Sequence, residues 1–292
     1  GADSDLRAHP RVSFITCSLT PLEFKSMDLD IILRCARIGI PLHACSLPGA
    51  GATAPITVPG VVILAAAEIL AMVAVSQVVE PGSPIIATPL IFSTDMTSGR
   101  SLQSSVESIQ SGALAVQFIQ KAFGLPTHTY GLGTDSPSID GQCTSEGALR
   151  CMTTALSGAD ILGAAGQLEV ATTISPVQLA IDNEVLGMAR RLTTQIEFND
   201  ESMAWQELLD ADPGSQFLTN EHTFRHCRDG LMPVNFIRLT RDSWHAKGSH
   251  DLIARVTEFC RTTLAEAAPA DLSEEAIKAM DSIVARADDR LR

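Results

Sequence analysis

This 292-residue chain has few aromatic residues, no closely spaced cysteine pair and no export signal in its first ten residues. Aromatic side chains make up 4% of the residues, and tyrosine occurs only once. The seven cysteines form no Cys-x-x-Cys pair, so no zinc ribbon or thioredoxin-type redox motif is indicated. The first ten residues contain no apolar signal core, and an odd number of dispersed thiols is typical of a reducing compartment. We therefore expect a cytoplasmic protein.

The chain also has few basic residues, and its longest apolar run is interrupted. Lysine and arginine number 21 against 34 aspartates and glutamates, which gives a net charge of −13. Such a chain repels a phosphate backbone, so no nucleic-acid partner is expected. The richest apolar run, from Val58 to Val79, contains Gly60 and Glu68 and lacks flanking cations. It predicts a buried helix and no membrane partner.

Short runs rich in Val, Ile and Thr alternate with longer helical patterns, which is typical of βα units around a parallel sheet. The predicted strands are Val12–Cys17, Leu42–Leu47, Pro84–Thr88, Thr127–Gly131 and Asp160–Ala164, and the predicted helices are Met27–Ile38, Val58–Val79, Ser104–Phe123, Ser145–Leu156 and Pro176–Leu192. Two further helices are predicted at about Asp251–Glu266 and Ser273–Ala287. Five units are fewer than the eight of a closed barrel. The pattern therefore predicts either a complete doubly wound sheet or part of a barrel whose first strands lie outside this sequence.

Two loops that follow predicted strands have compositions suited to ligand binding. The small residues of Pro48–Thr57 allow the backbone to approach a flat ligand closely, although a plain turn would also use them. No lysine follows this loop, so it is not a nucleotide phosphate loop. The second loop, Gly131–Gln142, contains Asp135 and Asp140. Their carboxylates can orient a polar or cationic ligand, or Asp140 or Ser145 can simply cap the next helix.

Two later segments carry further candidates. Glu169 follows the fifth predicted strand and can face the same end of the sheet. His222 and His226 are four residues apart, so a helix would place both imidazoles on one face and permit metal binding. A third ligand at a convincing spacing is missing from the sequence. Zinc is therefore the minority interpretation, and no tightly bound metal is expected.

Four sequence blocks appear in order along the chain and together indicate a family. They are PGAGATAPIT at Pro48–Thr57, TDSPSIDGQ at Thr134–Gln142, IDNEVLGMARR at Ile181–Arg191 and FLTNEHTFRH at Phe217–His226, with weaker agreement at Val12–Leu22 and Asp95–Gly99. With these blocks, the chain resembles the trimethylamine methyltransferase family. Its members are corrinoid-dependent enzymes, and some act on quaternary amines such as glycine betaine.

The resemblance implies an α/β fold of the TIM (β/α)8 type, incomplete here at its N-terminal side and with extra C-terminal helices. Residues 1–292 would then be a single domain, the C-terminal part of a barrel methyltransferase. The mouth of such a barrel receives a small methylated amine and the corrinoid (cobalamin) of a separate corrinoid protein. Trimethylamine-specific members carry pyrrolysine, whereas this chain has standard residues only, which resembles the branch for quaternary amines.

The implied reaction moves a methyl group from a quaternary amine to the Co(I) corrinoid of the partner protein. Cobalt supplies the nucleophile, so no catalytic residue of the chain is assigned. Aromatic faces and carboxylates hold quaternary ammonium groups. The candidate substrate-binding residues are Phe92, Tyr130, Asp135, Asp140, Gln142, Glu169, His222 and Phe224, and the candidate corrinoid-contacting residues are Gly51, Ala52 and Thr53.

Three other interpretations remain open on the sequence. A truncated family member would bind a betaine or a corrinoid protein without turnover. A zinc-dependent barrel enzyme would use His222, His226 and a carboxylate. The third is a structural remnant that neither binds such a ligand nor transfers a methyl group. An incomplete barrel also leaves strand edges unpaired, so the sequence predicts self-association into a homo-oligomer.

Overall fold

The computed structural model describes residues 6–268 and 272–291, and the chain divides into two compact units between Val256 and Thr257. The strands are β1 (Phe14–Cys17), β2 (Leu42–Ser46), β3 (Gly49–Ala50), β4 (Ile85–Pro89), β5 (Phe92–Thr94), β6 (Ser101–Leu102), β7 (His128–Tyr130), β8 (Ile161–Gly163), β9 (Gln167–Leu168) and β10 (Thr173–Ile174). The helices are α1 (Ser26–Ile38), α2 (Val58–Val79), α3 (Val106–Phe123), α4 (Gly141–Leu156), α5 (Pro176–Thr193), α6 (Trp205–Leu209), α7 (Glu221–His226), α8 (Arg241–Ala246), α9 (Leu252–Glu266) and α10 (Glu274–Leu291).

Five parallel strands, β1, β2, β4, β7 and β8, lie side by side in chain order. The strands β1, β2 and β4 form one sheet, and β7 pairs with β8. A parallel bridge between Ala87 and Thr127 joins β4 to β7. The order contains no reversal, and a reversal defines a doubly wound sheet, so that alternative is not the architecture of this unit. The strands described here form no closed barrel, since β1 and β8 are the outer strands.

The predicted elements of the sheet are confirmed in order and to within a few residues. The largest difference is the start of α4, which begins at Gly141 and not at Ser145 because Asp140 caps it. The two predicted C-terminal helices correspond to α9 and α10. Strands β3, β5, β6, β9 and β10 were not predicted, because two or three residues are too few to show an alternation of apolar and polar side chains. The helices α6, α7 and α8 are likewise too short to show a helical period of apolar residues.

The main core lies between the sheet and helices α1, α2 and α3. Leu42 and Ala44 point from β2 into this layer, where they meet Ile69 and Met72 of α2 and Ile119 of α3, all fully buried. The helices cover one face of the sheet because each βα unit returns its helix to that side. This packing fixes the ends of the strands, and therefore the loops that follow them.

Helix α2 is the one helix among the described residues that is long and apolar enough to cross a membrane. In the fold it packs against α1, α3, β2 and β4. The predicted buried helix is confirmed for the face that carries Val61, Ala65 and Ile69, while Ile63 and Val78 on other faces are exposed. One apolar face of α2 therefore packs in the core beneath the sheet.

A buried carboxylate ties α2 to the loop after β1. Glu68 is 1% exposed and accepts hydrogen bonds from the hydroxyls of Ser18 (2.6 Å), Ser46 (2.6 Å) and Thr20 (2.9 Å) and from the backbone N–H of Leu22 (2.8 Å). Burial alone raises the pKa of Glu68, but these four donors together lower the pKa below its ordinary value. The ionised carboxylate is thus an anchor for two strand ends.

We expect Glu68→Gln to lower the free energy of unfolding by about 1–3 kcal/mol, because an amide presents N–H groups to a site made only of donors. The pKa of Glu68 is lower in the folded chain, so its contribution is complete above pH 4.5 and is lost as the pH falls through the folded pKa. Urea unfolding at pH 7 and at a series of lower pH values measures both effects. The exposed Glu197→Gln is the matched control. An unchanged pH profile in Glu68→Gln would contradict this role.

Candidate active site

The loops that follow β2, β4, β7 and β8 lie together at the carboxyl ends of the parallel strands. We call this region the mouth and define it as residues 47–57, 90–105, 131–140 and 164–175. Short strands connect two of its loops, since Gly49 of β3 pairs with Phe92 of β5 and Ser93 pairs with Leu102 of β6. In α/β folds with parallel strands, chemistry is placed at this end of the sheet.

The glycine-rich loop of the mouth presents small side chains on an exposed surface. Gly51 has a φ of +90°, and a Cβ at this position would lie 3.1 Å from Met96 Sδ and 3.4 Å from Ile56 Cδ1. Ala52 and Thr53 are exposed beside it. Ile56 and Met96 are 58% and 67% exposed. The glycine-rich loop therefore presents an exposed, largely apolar surface with small residues at its centre.

An aromatic pair lies at the start of β5 and the end of β7. The rings of Phe92 and Tyr130 are 5.6 Å apart in an edge-to-face arrangement. Burial raises the pKa of Tyr130 to about 12, so the phenol is neutral at physiological pH. The guanidinium carbon of Arg150 lies 6.0 Å from the centre of the Tyr130 ring. The structure thus joins two predicted site residues and adds a cation that the sequence analysis missed.

Arg150 is the largest fully buried side chain among the described residues. Its Nη2 donates to Ser108 Oγ (3.1 Å), and its buried Nε has no hydrogen-bond partner there. Burial lowers the pKa of Arg150 to about 10, an effect opposed by Asp135, Tyr130 and Glu146. The guanidinium is therefore still charged at neutral pH. The pair Glu146 and Arg150, four residues apart on α4, was the sequence signal that could have revealed it.

The Asp135 carboxylate holds two loops of the mouth together. It accepts the backbone N–H groups of Gln103 (2.7 Å) and Ser104 (3.1 Å). Burial raises the pKa of Asp135 in spite of these bonds. Glu146 completes the arrangement by accepting the Thr134 hydroxyl (2.6 Å) and the Asp135 N–H (2.8 Å). Two negative charges therefore lie beside the buried Arg150.

Asp140 and Gln142 take structural positions at the start of α4. The Asp140 carboxylate caps the helix by accepting the Cys143 N–H at 2.9 Å. That backbone bond, together with the hydroxyls of Ser136 and Ser138, lowers the pKa of Asp140. Gln142 donates to Glu146 at 2.8 Å. The capping role that the sequence left open for Asp140 is thus observed.

Glu169 begins a strained turn at the rim of the mouth. Three consecutive residues, Glu169, Val170 and Ala171, have φ values of +50°, +56° and +65°. A β-branched residue such as valine rarely adopts this conformation, and such strain concentrates at functional sites. The turn is held because the Glu169 N–H donates to Ser136 O, and the carboxylate lies 3.4 Å from Arg100. The rim of the mouth therefore contains a strained turn that a backbone hydrogen bond and an ion pair hold in place.

His222 and Phe224 lie on α7, outside the loops of the mouth. Phe224 is 82% exposed. His222 contacts the His226 ring and the backbone oxygen of Glu201. No hydrogen bond, ion pair or ring contact between described residues connects α7 to Phe92 or Tyr130. Among the described residues, these two candidates therefore make no such contact with the aromatic pair.

Comparison with known proteins agrees with the sequence blocks. A sequence model described as trimethylamine methyltransferase (MTTB) matches residues 1–291. The chain belongs to this family. It is 28% identical to trimethylamine methyltransferase MttB from Desulfitobacterium hafniense strain DCB-2 over 99% of this chain and 58% of that protein. It is 27% identical to trimethylamine methyltransferase MttB1 from Methanosarcina mazei over 100% of this chain and 59% of that protein.

The family includes relatives named for more than one amine. The chain is 27% identical to a glycine betaine methyltransferase from Desulfitobacterium hafniense strain Y51, over 98% of this chain and 60% of that protein. The family resemblance predicted from the four blocks is thus confirmed. This family member spans about three fifths of the length of these curated relatives.

Proposed function

We propose that this family member is a methyltransferase that transfers a methyl group from a quaternary amine to the Co(I) corrinoid of a partner protein. The observation that carries the proposal is the edge-to-face pair of Phe92 and Tyr130 at the mouth of a chain of this family. Aromatic faces attract quaternary ammonium groups through the ring quadrupole. The Tyr130 phenol is neutral at physiological pH, so no phenolate charge changes how its ring face interacts with an ammonium group.

The charges of the mouth favour a zwitterionic amine of the glycine betaine type. Arg150 occupies one side of Tyr130, so the ammonium would bind against Phe92 and the remaining ring surface. Asp135 and Glu146 complement the positive nitrogen, and the buried guanidinium complements a substrate carboxylate. Glu169 stands at the rim, where it can guide the cation. Trimethylamine has no carboxylate to match Arg150, and the chain contains no pyrrolysine to activate it.

In the proposed step the C–N bond of the substrate breaks and its electron pair stays on nitrogen. The product amine is therefore neutral and needs no proton from the protein. The corrinoid supplies the nucleophile when it is bound. The chain itself would orient the ammonium in line, exclude water and hold the charges of the mouth in place. Ala52 and Thr53, beside Gly51, would contact the macrocycle at the exposed surface described above.

The larger architecture forms part of the same proposal. We propose that the five βα units are part of a (β/α)8 barrel, since their strands follow one another in chain order. The outer strands β1 and β8 would pair with further strands or with another copy of the chain. A small corrinoid protein would dock over the mouth in the cytoplasm.

The decisive experiment mixes the purified chain anaerobically with reduced cob(I)alamin and one amine at a time. The amines are glycine betaine, carnitine, proline betaine and trimethylamine. We expect the absorbance change of cobalt methylation, and the matching demethylated amine by mass spectrometry, with a quaternary amine only. Transfer from trimethylamine alone would contradict the substrate class. A folded chain that shifts its melting temperature with betaine but transfers no methyl group would instead support the non-catalytic alternative.

A further inference from the structure

The structure gathers a third ligand around the two histidines of α7. One ligand atom each from Glu201, His222 and His226 lies within 4.8 Å of the others. Glu201 Oε1 and His226 Nε2 are 3.0 Å apart. Two ligands of one tetrahedral zinc ion are separated by about 3.4 Å, as follows from metal–ligand bonds of about 2.0–2.1 Å. Modest side-chain rotations would thus bring all three groups onto one ion.

A carboxylate already orients one of these imidazoles. His226 Nδ1 lies 2.6 Å from Asp229 Oδ2. His226 Nε2 faces Glu201 Oε1 at 3.0 Å and donates to it, and a metal ion would take the place of the Nε2 proton in this contact. Carboxylate–histidine–metal triads have this geometry, and their outer carboxylate fixes both the tautomer and the ring orientation. This contact is independent of the three ligands themselves.

The local charge also suits a divalent cation. Arg225 donates to Glu201 Oε1 from Nε (3.1 Å) and Nη2 (2.9 Å), so it is the group that a metal would displace. Its guanidinium also lies 3.5 Å from Glu221 and 3.8 Å from Glu207, two carboxylates that would still balance it after displacement. The carboxylates here outnumber the guanidinium, so the added positive charge is favourable.

We propose that Glu201, His222 and His226 form a site for one divalent transition-metal ion of the zinc class, oriented by Asp229. Three protein ligands leave a fourth position for water or a small anion. His222, His226 and Asp229 line a cleft of about 1160 Å³. The ion would join α7 to the segment around Glu201, about twenty residues earlier. This site does not depend on methyl transfer at the mouth.

The test uses the metal alone on the full chain after removal of metals with a chelator. Cobalt(II) is titrated in as a spectroscopic substitute for zinc and followed by its visible absorption bands, and zinc binding is measured by calorimetry. We expect one equivalent of metal with the bands of a four-coordinate ion. In Asp229→Asn, which retains all three ligands, binding should weaken by about 10- to 100-fold.

Matched variants separate a built site from surface histidine binding. Glu201→Gln and His222→Ala should each weaken zinc binding at least tenfold, whereas His245→Ala on α8 should leave it unchanged. Far-ultraviolet circular dichroism checks that each variant is folded. Equal affinity in all the variants, or the absence of the four-coordinate bands, would overturn the proposal. Loss of methyl transfer would have no bearing on this result.

Discussion

Replacing Arg150 with methionine is expected to lower the free energy of unfolding by about 3–5 kcal/mol, the usual cost of removing one partner from a buried charged group. Methionine fills much of the arginine volume, so the loss would come mainly from charge. Asp135 and Glu146 would remain beside an uncharged side chain, and Ser108 Oγ would lose its donor at 3.1 Å. Urea unfolding followed by circular dichroism measures this difference at pH 7.

The control for this change is Arg34→Met on the exposed side of α1, for which we expect a change within about 0.5 kcal/mol. A near-neutral effect of Arg150→Met would mean that the buried charges do not depend on one another. In that case the electrostatic potential of the mouth would not come from Arg150 and its two neighbouring carboxylates. The expected preference for a zwitterionic substrate would then have no support.

Replacing Ala52 with tryptophan is expected to lower the rate of methyl transfer at least about 100-fold while leaving the melting temperature nearly unchanged. Ala52 is exposed, so a large side chain meets solvent in the free protein. In the complex the same side chain would stand between the loop and the macrocycle. A displacement of about 1 Å at the reacting atoms can cost a factor of 100.

Ala67→Trp, on the exposed side of α2, adds the same side chain away from the mouth and should leave the rate unchanged. The anaerobic assay with cob(I)alamin and the active amine measures both variants beside the parent chain. Equal losses of rate and of melting temperature in Ala52→Trp would show that the loop is needed for folding, and the corrinoid contact would then be assigned elsewhere.

The sheet and its helices were predictable because their signals are local. Apolar runs of five residues and helical periods of twelve to twenty residues depend only on neighbouring positions. Most boundaries of β1, α1, β2, α2 and α5 therefore lie within one or two residues of the prediction. The start of α4 was misplaced because several polar residues before it can all cap a helix, and only the fold selected Asp140.

The composition of the mouth was only partly predictable. Phe92 was identified at a strand end and Tyr130 just ahead of the second loop, and their rings do meet. Arg150 was missed because a charged residue on a helix is normally exposed. It is buried here because α4 turns it towards Tyr130 and the loop carboxylates.

The sequence by itself determined the family, the order of the βα units and the loops that follow the strands, since these depend on motifs and periods along the chain. The tertiary structure alone decided which side chains meet. It placed Arg150 beside Tyr130, used Asp135 to join two loops, and brought Glu201 to the histidines of α7. Contacts of this kind join residues far apart in the chain. A local sequence pattern does not show which distant residues come together when the chain folds.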